Sequence, residues 1–190
     1  AIDLDADIGL CQYTGVTTGL PKGSMLSFYA ALFKTAAVCT ITGINKNAVS
    51  LVSMPIFHIA GMVAGMNSCI YAGATQVLFT QFDVKATMEA IQRYKANFWY
   101  SAVPMNVGIM MHPDVKNYDL SSMKLCLTSS FGITLTEEIS RQWATFTGGC
   151  LLYPSDAADD LLCVDLGGPP IIQKKNKNKQ TPTHSTLTQP

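Results

Sequence analysis

The spacing of apolar positions along the chain changes period several times, and each change predicts an element. Residues 8–14 read as a strand running into a loop rich in Gly and Thr, and residues 25–38 carry helix-length apolar content without a breaker. Residues 49–54 read as a second strand. Beyond Pro55, residues 58–71 suit a buried helix, and the β-rich run 75–79 a third strand. Asp83 opens an amphipathic helix. Val84, Met88 and Ile91 recur on one face, Lys85, Glu89 and Arg93 lie off it, and the Asp83 carboxylate can accept from free amides of the first turn. Residues 98–103 form a strand stopped by Pro104, residues 106–111 a short helix ending at His112 and Pro113, and residues 123–128 another strand. Thr136, followed by Glu137 and Glu138, opens a last helix through Trp143 and Phe146, because a threonine cap and early carboxylates favour a helix amino end. Strands separated by helix-length segments predict an α/β fold, a largely parallel sheet flanked by helices.

From Pro154 the periodicity dissolves. After Gly167, Gly168, Pro169 and Pro170 the chain is rich in Lys, Asn, Gln, Thr and Pro, with little to bury, which predicts a disordered C-terminal tail. The run 164–168, followed by Ile171, Ile172 and a lysine-rich stretch, also resembles a translated sequencing-library adapter, so it is kept out of fold reasoning. The division is residues 1–153 as the body and residues 154–190 as the tail.

Charge narrows the function classes. Lys+Arg and Asp+Glu are both 13, so no net field draws in nucleic acid or an anionic membrane. Residues 48–82 contain no Asp, Glu, Lys or Arg, but Pro55, His58, Asn67, Ser68 and Gln76 interrupt them and Gly61, Gly65 and Gly73 divide them, so no transmembrane segment is expected. The six cysteines fall singly, without a C-x-x-C pair or a histidine at metal-ligand spacing, and read as buried thiols of a reducing compartment. The acidic amino terminus, Ala1 to Asp5, lacks the basic-then-apolar pattern of an export signal. A cytoplasmic protein is expected.

The chemistry is concentrated between Tyr13 and Gly23, in the order Thr14, Gly15, Val16, Thr17, Thr18, Gly19, Leu20, Pro21, Lys22. Glycines let backbone approach an anion closely, hydroxyls and amides donate to phosphate oxygens, and a lysine adds mobile positive charge. That set suits a triphosphate. It is not a Walker loop, in which glycine directly precedes the Lys-Ser/Thr pair, nor a G-x-G-x-x-G fingerprint; taken alone, a plain Thr/Gly turn between strands remains open.

The order Gln12-Tyr13-Thr14, then Thr17-Thr18-Gly19-Leu20-Pro21-Lys22-Gly23, then Met25-Leu26 resembles the phosphate-binding signature of the adenylate-forming (AMP-binding) superfamily. The segment from Ser53 through Pro55, Phe57 and His58 to Gly61 is similar to the aromatic-histidine segment beside the acyl pocket of acyl-CoA synthetases of the fatty-acid–CoA ligase type. On composition alone, His58 would more often be a hydrogen-bonded core histidine. Val103-Pro104, then residues 118–123, then Ser129 to Leu135 resemble the order before the family's adenine-binding turn.

The resemblance implies a partial adenylate-forming N-terminal domain, with Thr14, Gly15, Thr17, Thr18, Gly19 and Lys22 as the ATP-phosphate cradle and Thr17 or Thr18 reaching Mg2+ through Mg-ATP. Phe57 and His58 would line the acyl pocket, and Ser130, Phe131, Gly132, Ile133 and Thr134 the adenine-side turn. ATP, Mg2+ and CoA, with a small-molecule carboxylic acid, are the implied cofactors and partners, and peripheral membrane association of the parent protein is compatible with them. Two positions depart from the pattern: Val16 stands where the family usually has glycine, resisting positive φ and crowding the phosphates, and Phe28 stands where CoA synthetases commonly carry histidine. The family's magnesium-holding glutamate, its ribose aspartate and its catalytic lysine lie beyond the matched order. The expected object is an internal fragment without a complete catalytic set; a nucleotide-binding module without turnover and a non-functional truncated product are the alternatives.

Overall fold

A computed structural model describes residues 1–14 and 22–154. Two sheets organise them. Strands β1 (Ile8–Thr14) and β2 (Lys22–Ser27) form an antiparallel hairpin, with Thr14 opposite Lys22 at its open end. The second sheet contains β3 (Val49–Val52), β4 (Thr75–Leu78), β5 (Phe98–Ala102), β6 (Leu125–Ser129) and β7 (Leu152–Pro154), all parallel, in the order β4-β3-β5-β6-β7. The α/β reading with a largely parallel sheet therefore stands.

Alternation across this sheet sorts its residues into two cores. Trp99 and Cys126 point to one face, where Leu51, Met88, Ile91, Ile109, Leu120, Met123, Trp143 and Leu152 join them beneath α3 (Val84–Tyr94), α4 (Val103–Met110) and α5 (Glu137–Thr147). Their neighbours Phe98, Leu125 and Leu127 meet the opposite core, with Ile44, Ala48 and Cys69, on the side of α1 (Phe28–Thr42) and α2 (Ser68–Ala72). Trp99 links strand and helices. Its ring lies 6.3 Å from Phe82 and 5.9 Å from Trp143, and it is fully buried.

Local chemistry explains the element limits. Asp83 accepts from the Ala86 amide at 2.7 Å, and Thr136 from the Ile139 amide at 3.3 Å, as their cap positions predict. Three sequence expectations are corrected, and one strand is added that none foresaw. The helix expected at 25–38 begins only at Phe28, because 22–27 pair with β1 and Ser27 caps the helix by accepting from the Ala30 amide at 3.2 Å. The single helix expected over 58–71 is a π-helical segment, Ala60–Asn67, continued by α2. Pro104 does more than end a strand: it occupies the first turn of α4, where a missing amide hydrogen costs nothing. The chain after Cys150 adds a strand, β7, that a three-residue segment does not reveal by period. Of the cysteines, Cys69, Cys126 and Cys150 are buried as expected, while Cys11 on β1 is exposed. The tail expectation falls, from Ser155 onward, outside the described residues. Among the described residues no helix is long and apolar enough to cross a membrane.

Candidate functional site

Because the five strands of the large sheet are parallel, all their carboxyl ends lie at one edge, and the segments that follow them share that edge. The chain runs from β3 outward to β4 and then returns across β3 to β5. The strand order thus reverses between β3 and β5. In open α/β sheets such a reversal leaves a crevice outside the carboxyl ends where ligands bind.

The β3 side of this crevice is built by residues 53–61. Ser53, buried at the end of β3, accepts from the Trp99 indole N–H at 2.9 Å, which ties the strand's end to β5. Gly61 packs so closely on the preceding turn that a Cβ there would sit 2.3 Å from the Pro55 carbonyl oxygen. Phe57 and His58 project from the turn between these anchors, Phe57 80% exposed and His58 exposed. The His58 Nδ1 accepts from the Ala60 amide at 3.2 Å, so in the neutral ring the proton resides on Nε2. His58 is thus no core histidine.

The hairpin is joined to this turn. Gln12, two residues before the end of β1, donates from Nε2 to the Phe57 carbonyl at 3.2 Å. Thr14 and Lys22 stand opposite each other at the hairpin's open end, and Lys22 is exposed. Gly15, Thr17, Thr18 and Gly19, with Val16, fall outside the described residues; they connect the paired ends, so the ladder holds their segment at both feet. The Gln12 contact places the described end of β1 next to the Phe57 backbone. Phe28 begins α1 directly after β2 and lies against Gly9, where a Cβ would come within 2.9 Å of its backbone and ring.

The turn after β6 completes the set. Ser130, Phe131, Gly132, Ile133 and Thr134 are all exposed, Phe131 at 77%. Gly132 adopts φ 78°, a left-handed conformation that favours glycine. The turn is fastened by the Phe131 amide donating to the Ser129 carbonyl at 2.8 Å, and by Ser130 Oγ accepting from the Leu135 amide at 3.2 Å. Below it, a groove of about 520 Å³ opens between α4 and α5, lined by Val107, Met110, Met111, Ile133 and Phe146 among others. Its lining is mostly apolar and shares only Ile133 with the turn.

Sequence reasoning missed the polar cluster that supports this edge. Asn106 of α4, fully buried, accepts at Oδ1 from Ser101 Oγ at 2.7 Å and from Thr128 Oγ1 at 3.3 Å, and its Nδ2 faces Cys126 Sγ at 3.6 Å. One side chain therefore binds β5, β6 and α4 where the loops depart. The available signal was a lone amide in the apolar stretch 98–111. Burial pushes the Cys126 thiol up to about 12, and the Cys150 thiol up to about 11, so neither supplies a thiolate nucleophile near neutral pH. Among the described residues no three His, Cys, Asp or Glu side chains converge as a metal site.

Comparison with known proteins identifies the family and the fold. Residues 3–154 match the AMP-binding family, described as AMP-binding enzymes. The long-chain-fatty-acid–CoA ligase of Bacillus subtilis is 34% identical over 153 residues, 80% of this chain and 27% of its own length. The 4-coumarate–CoA ligase 4 of Arabidopsis thaliana is 33% identical over 67% of this chain and 23% of its own. The chain thus spans about a quarter of the length of these relatives. Among solved structures, apo MatB from Rhodopseudomonas palustris superposes with a TM-score of 0.69 at 20% identity, covering 80% of this chain and 29% of that one. A long-chain-fatty-acid–CoA ligase from Archaeoglobus fulgidus gives a TM-score of 0.64 at 24% identity, over 78% of this chain and 30% of that one. With the family's pattern matched from residue 3 to residue 154, this chain belongs to the AMP-binding enzyme family.

Proposed function

We propose that this chain is the phosphate-gripping part of an ATP-dependent acid–CoA ligase, which activates a carboxylic acid, most simply a fatty acid, as an acyl-adenylate and transfers it to CoA. The observation that carries the reading is the hydrogen bond from Gln12 to the Phe57 carbonyl, which ties β1, two residues before the Thr/Gly-rich segment, to the aromatic-histidine turn. One region would hold phosphates and the other the acid. The acid's carboxylate must approach the α-phosphate, anion towards anion, so amides, hydroxyls and charge arranged in advance lower the barrier.

In this reading Thr14, Gly15, Thr17, Thr18, Gly19 and Lys22 cradle the phosphates, and Phe57 and His58 border the acyl group. The protonated Nε2 of neutral His58 can donate a hydrogen bond to a carboxylate or carbonyl oxygen. Ser130 to Thr134 meet the adenine side, where the exposed ring of Phe131 offers a stacking surface. A feature that fits a bound nucleotide is the ladder closing on Thr14 and Lys22, which holds both feet of a Gly/Thr connection as a phosphate requires. Mg2+ would come with ATP, held by the hydroxyl of Thr17 or Thr18, and would neutralise phosphate charge. CoA enters as the thiol that displaces AMP. A cytoplasmic setting, with peripheral membrane contact when the acid is long, is consistent with this chemistry.

The isolated chain is expected to bind nucleotide weakly and to lack turnover. Family groups beyond Pro154 would each contribute on the order of a hundredfold in rate, so losing several leaves little above background. The test is to incubate the purified chain with MgATP, CoA and short-, medium- and long-chain and aromatic acids while following AMP. Robust acid- and CoA-dependent AMP formation would overturn the fragment reading. Calorimetric titration with MgATP is the second measurement: Lys22→Ala should weaken binding about tenfold, the cost of one charge-assisted contact, and unchanged affinity would remove Lys22 from the site.

A further inference from the structure

The packing of α1 on α2 brings two thiols together on the side of the large sheet that carries these helices. Cys39 lies in the last turn of α1 and Cys69 in the first turn of α2. The Cys39 Sγ donates at 3.3 Å to the carbonyl of Ser68, the residue bonded to Cys69, and the Cys69 Sγ donates to the Gly65 carbonyl at 3.0 Å. Cys69 is fully buried, whereas Cys39 is half-buried at the margin of the same cluster. Burial pushes both thiols up, and the neighbouring Cys69 pushes Cys39 further, so both sulfurs rest protonated near neutral pH. A third group faces them. Ser50 of β3 is fully buried, and its hydroxyl has no hydrogen-bonding partner among the described residues in that resting state. It lies beside Cys69, where it favours the sulfur as a thiolate. An orphaned buried hydroxyl is costly, which points to a second state, the Cys69 thiolate, that would satisfy it.

We infer that Cys39 and Cys69 form an oxidisable dithiol, at which a low-molecular-weight disulfide such as oxidised glutathione joins α1 to α2 through a new Cys39–Cys69 bond. Cys39, the accessible member, gives up its proton and its sulfur attacks the external disulfide. One half becomes bonded to Cys39, and the other leaves as a thiolate that takes up a proton. Cys69 then loses its proton, with Ser50 donating to the sulfur, attacks the Cys39 sulfur of the mixed disulfide and expels the second half as a thiol. Two protein thiols are oxidised, and one external disulfide is reduced to two thiols. Cys126 and Cys150 are both buried and offer the reagent no such entry. The bond has a mechanical consequence. Because α1 leaves the hairpin directly and α2 continues the segment that leaves the Phe57–His58 turn, it would hold the far ends of those two arms together. Where thiols are otherwise kept reduced, such a bond is transient and reports redox state. The inference does not rest on the ligase reading.

The test uses the full chain with Cys11→Ser and Cys163→Ser, which leaves Cys39, Cys69, Cys126 and Cys150 as its thiols. It is incubated with oxidised glutathione and digested with trypsin without reduction. Cleavage after Lys34, Lys46 and Lys85 places the two cysteines in peptides 35–46 and 47–85, so mass spectrometry should find these two linked, and separate after dithiothreitol. Closing the chain between 39 and 69 should raise the melting temperature by about 5 °C or more, reversibly. Cys39→Ser should abolish the reaction, and Cys69→Ala should stop it with glutathione on Cys39. Ser50→Ala removes only an unpartnered hydroxyl, so the reduced variant should melt within about 2 °C of the parent. Its second step should be on the order of tenfold slower, the cost of one charge-assisted contact, so that the mixed disulfide accumulates. The inference is overturned by no reaction, by a mixed disulfide at Cys39 that never closes, by a linked pair containing Cys126 or Cys150, or by an oxidised chain that melts no higher than the reduced one. Equal closure in Ser50→Ala and the parent would remove Ser50 from the site.

Discussion

Asp119 shows how much a single loop side chain can organise. Its Oδ1 accepts from Ser121 Oγ at 2.6 Å and from the Ser121 amide at 3.0 Å, and its Oδ2 meets Lys95 Nζ at 2.9 Å. Lys95 is the left-handed cap of α3, the one described non-glycine residue with positive φ, so the contact also secures a helix end. The Ser121 hydroxyl foremost, then Lys95 and the Ser121 amide, hold the Asp119 carboxyl far below the usual carboxylate range. A group whose folded titration is depressed stabilises above its unfolded pKa, about 3.9 for aspartate, and loses that contribution as pH falls towards the folded value. Asp119→Asn should therefore be less stable than the parent at neutral pH, with the difference shrinking below about pH 4. Urea midpoints across that range check it. A gap that is constant with pH would mean that the charge is not involved.

At the scale of elements, the segment from β3 to α2 depends on one close approach. Any side chain at position 61 meets the Pro55 carbonyl oxygen at 2.3 Å and that of Met54 at 2.8 Å, and backbone cannot yield as a flexible side chain can. Gly61→Ala is expected to cost about 1–3 kcal/mol through overpacking, a fall in melting temperature of roughly 2–4 °C for each kcal/mol in a chain of this size. Because the displaced backbone carries Phe57 and His58, the nucleotide and acid binding we propose should weaken alongside. Calorimetry of the variant reads both. A variant that melts like the parent would show that the turn has another arrangement.

For the whole molecule, Trp99 joins the sheet to the layer formed by α3, α4 and α5. It is completely buried, packs against Phe82 and Trp143, and donates to Ser53. Trp99→Ala should cost about 3–5 kcal/mol from lost burial and the cavity left behind, a large share of an ordinary domain's 5–15 kcal/mol. Denaturant titration followed by circular dichroism is the measurement, since the indole itself is lost. We also propose that the folded body is residues 1–153 and that 154–190 add little to it, because the family match ends at 154 and the lysine- and asparagine-rich end has few apolar groups to bury. A chain ended at Pro154 should melt within about 2 °C of the parent, the equivalent of less than about 1 kcal/mol. A loss of several degrees would show that the tail belongs to the body.

Local signals in the sequence were sufficient where the physics is local. The caps at Asp83 and Thr136 and the amphipathic periods of α3 and α5 were legible because each depends on neighbours within a turn. The phosphate site we propose rests on composition for the same reason: the donors an anion needs would be supplied by a short contiguous stretch. Tertiary structure decided whatever depends on distant partners. That 22–27 are strand and not helix follows from pairing with β1 across the intervening loop. That His58 is exposed follows from the turn between Ser53 and Gly61, whose geometry is set by Trp99 and by the Pro55 carbonyl. Asn106 gained its importance only when β5, β6 and α4 met around it. Period and composition carry information over a few residues, whereas pairing and burial join residues tens of positions apart, and only the folded chain brings those together.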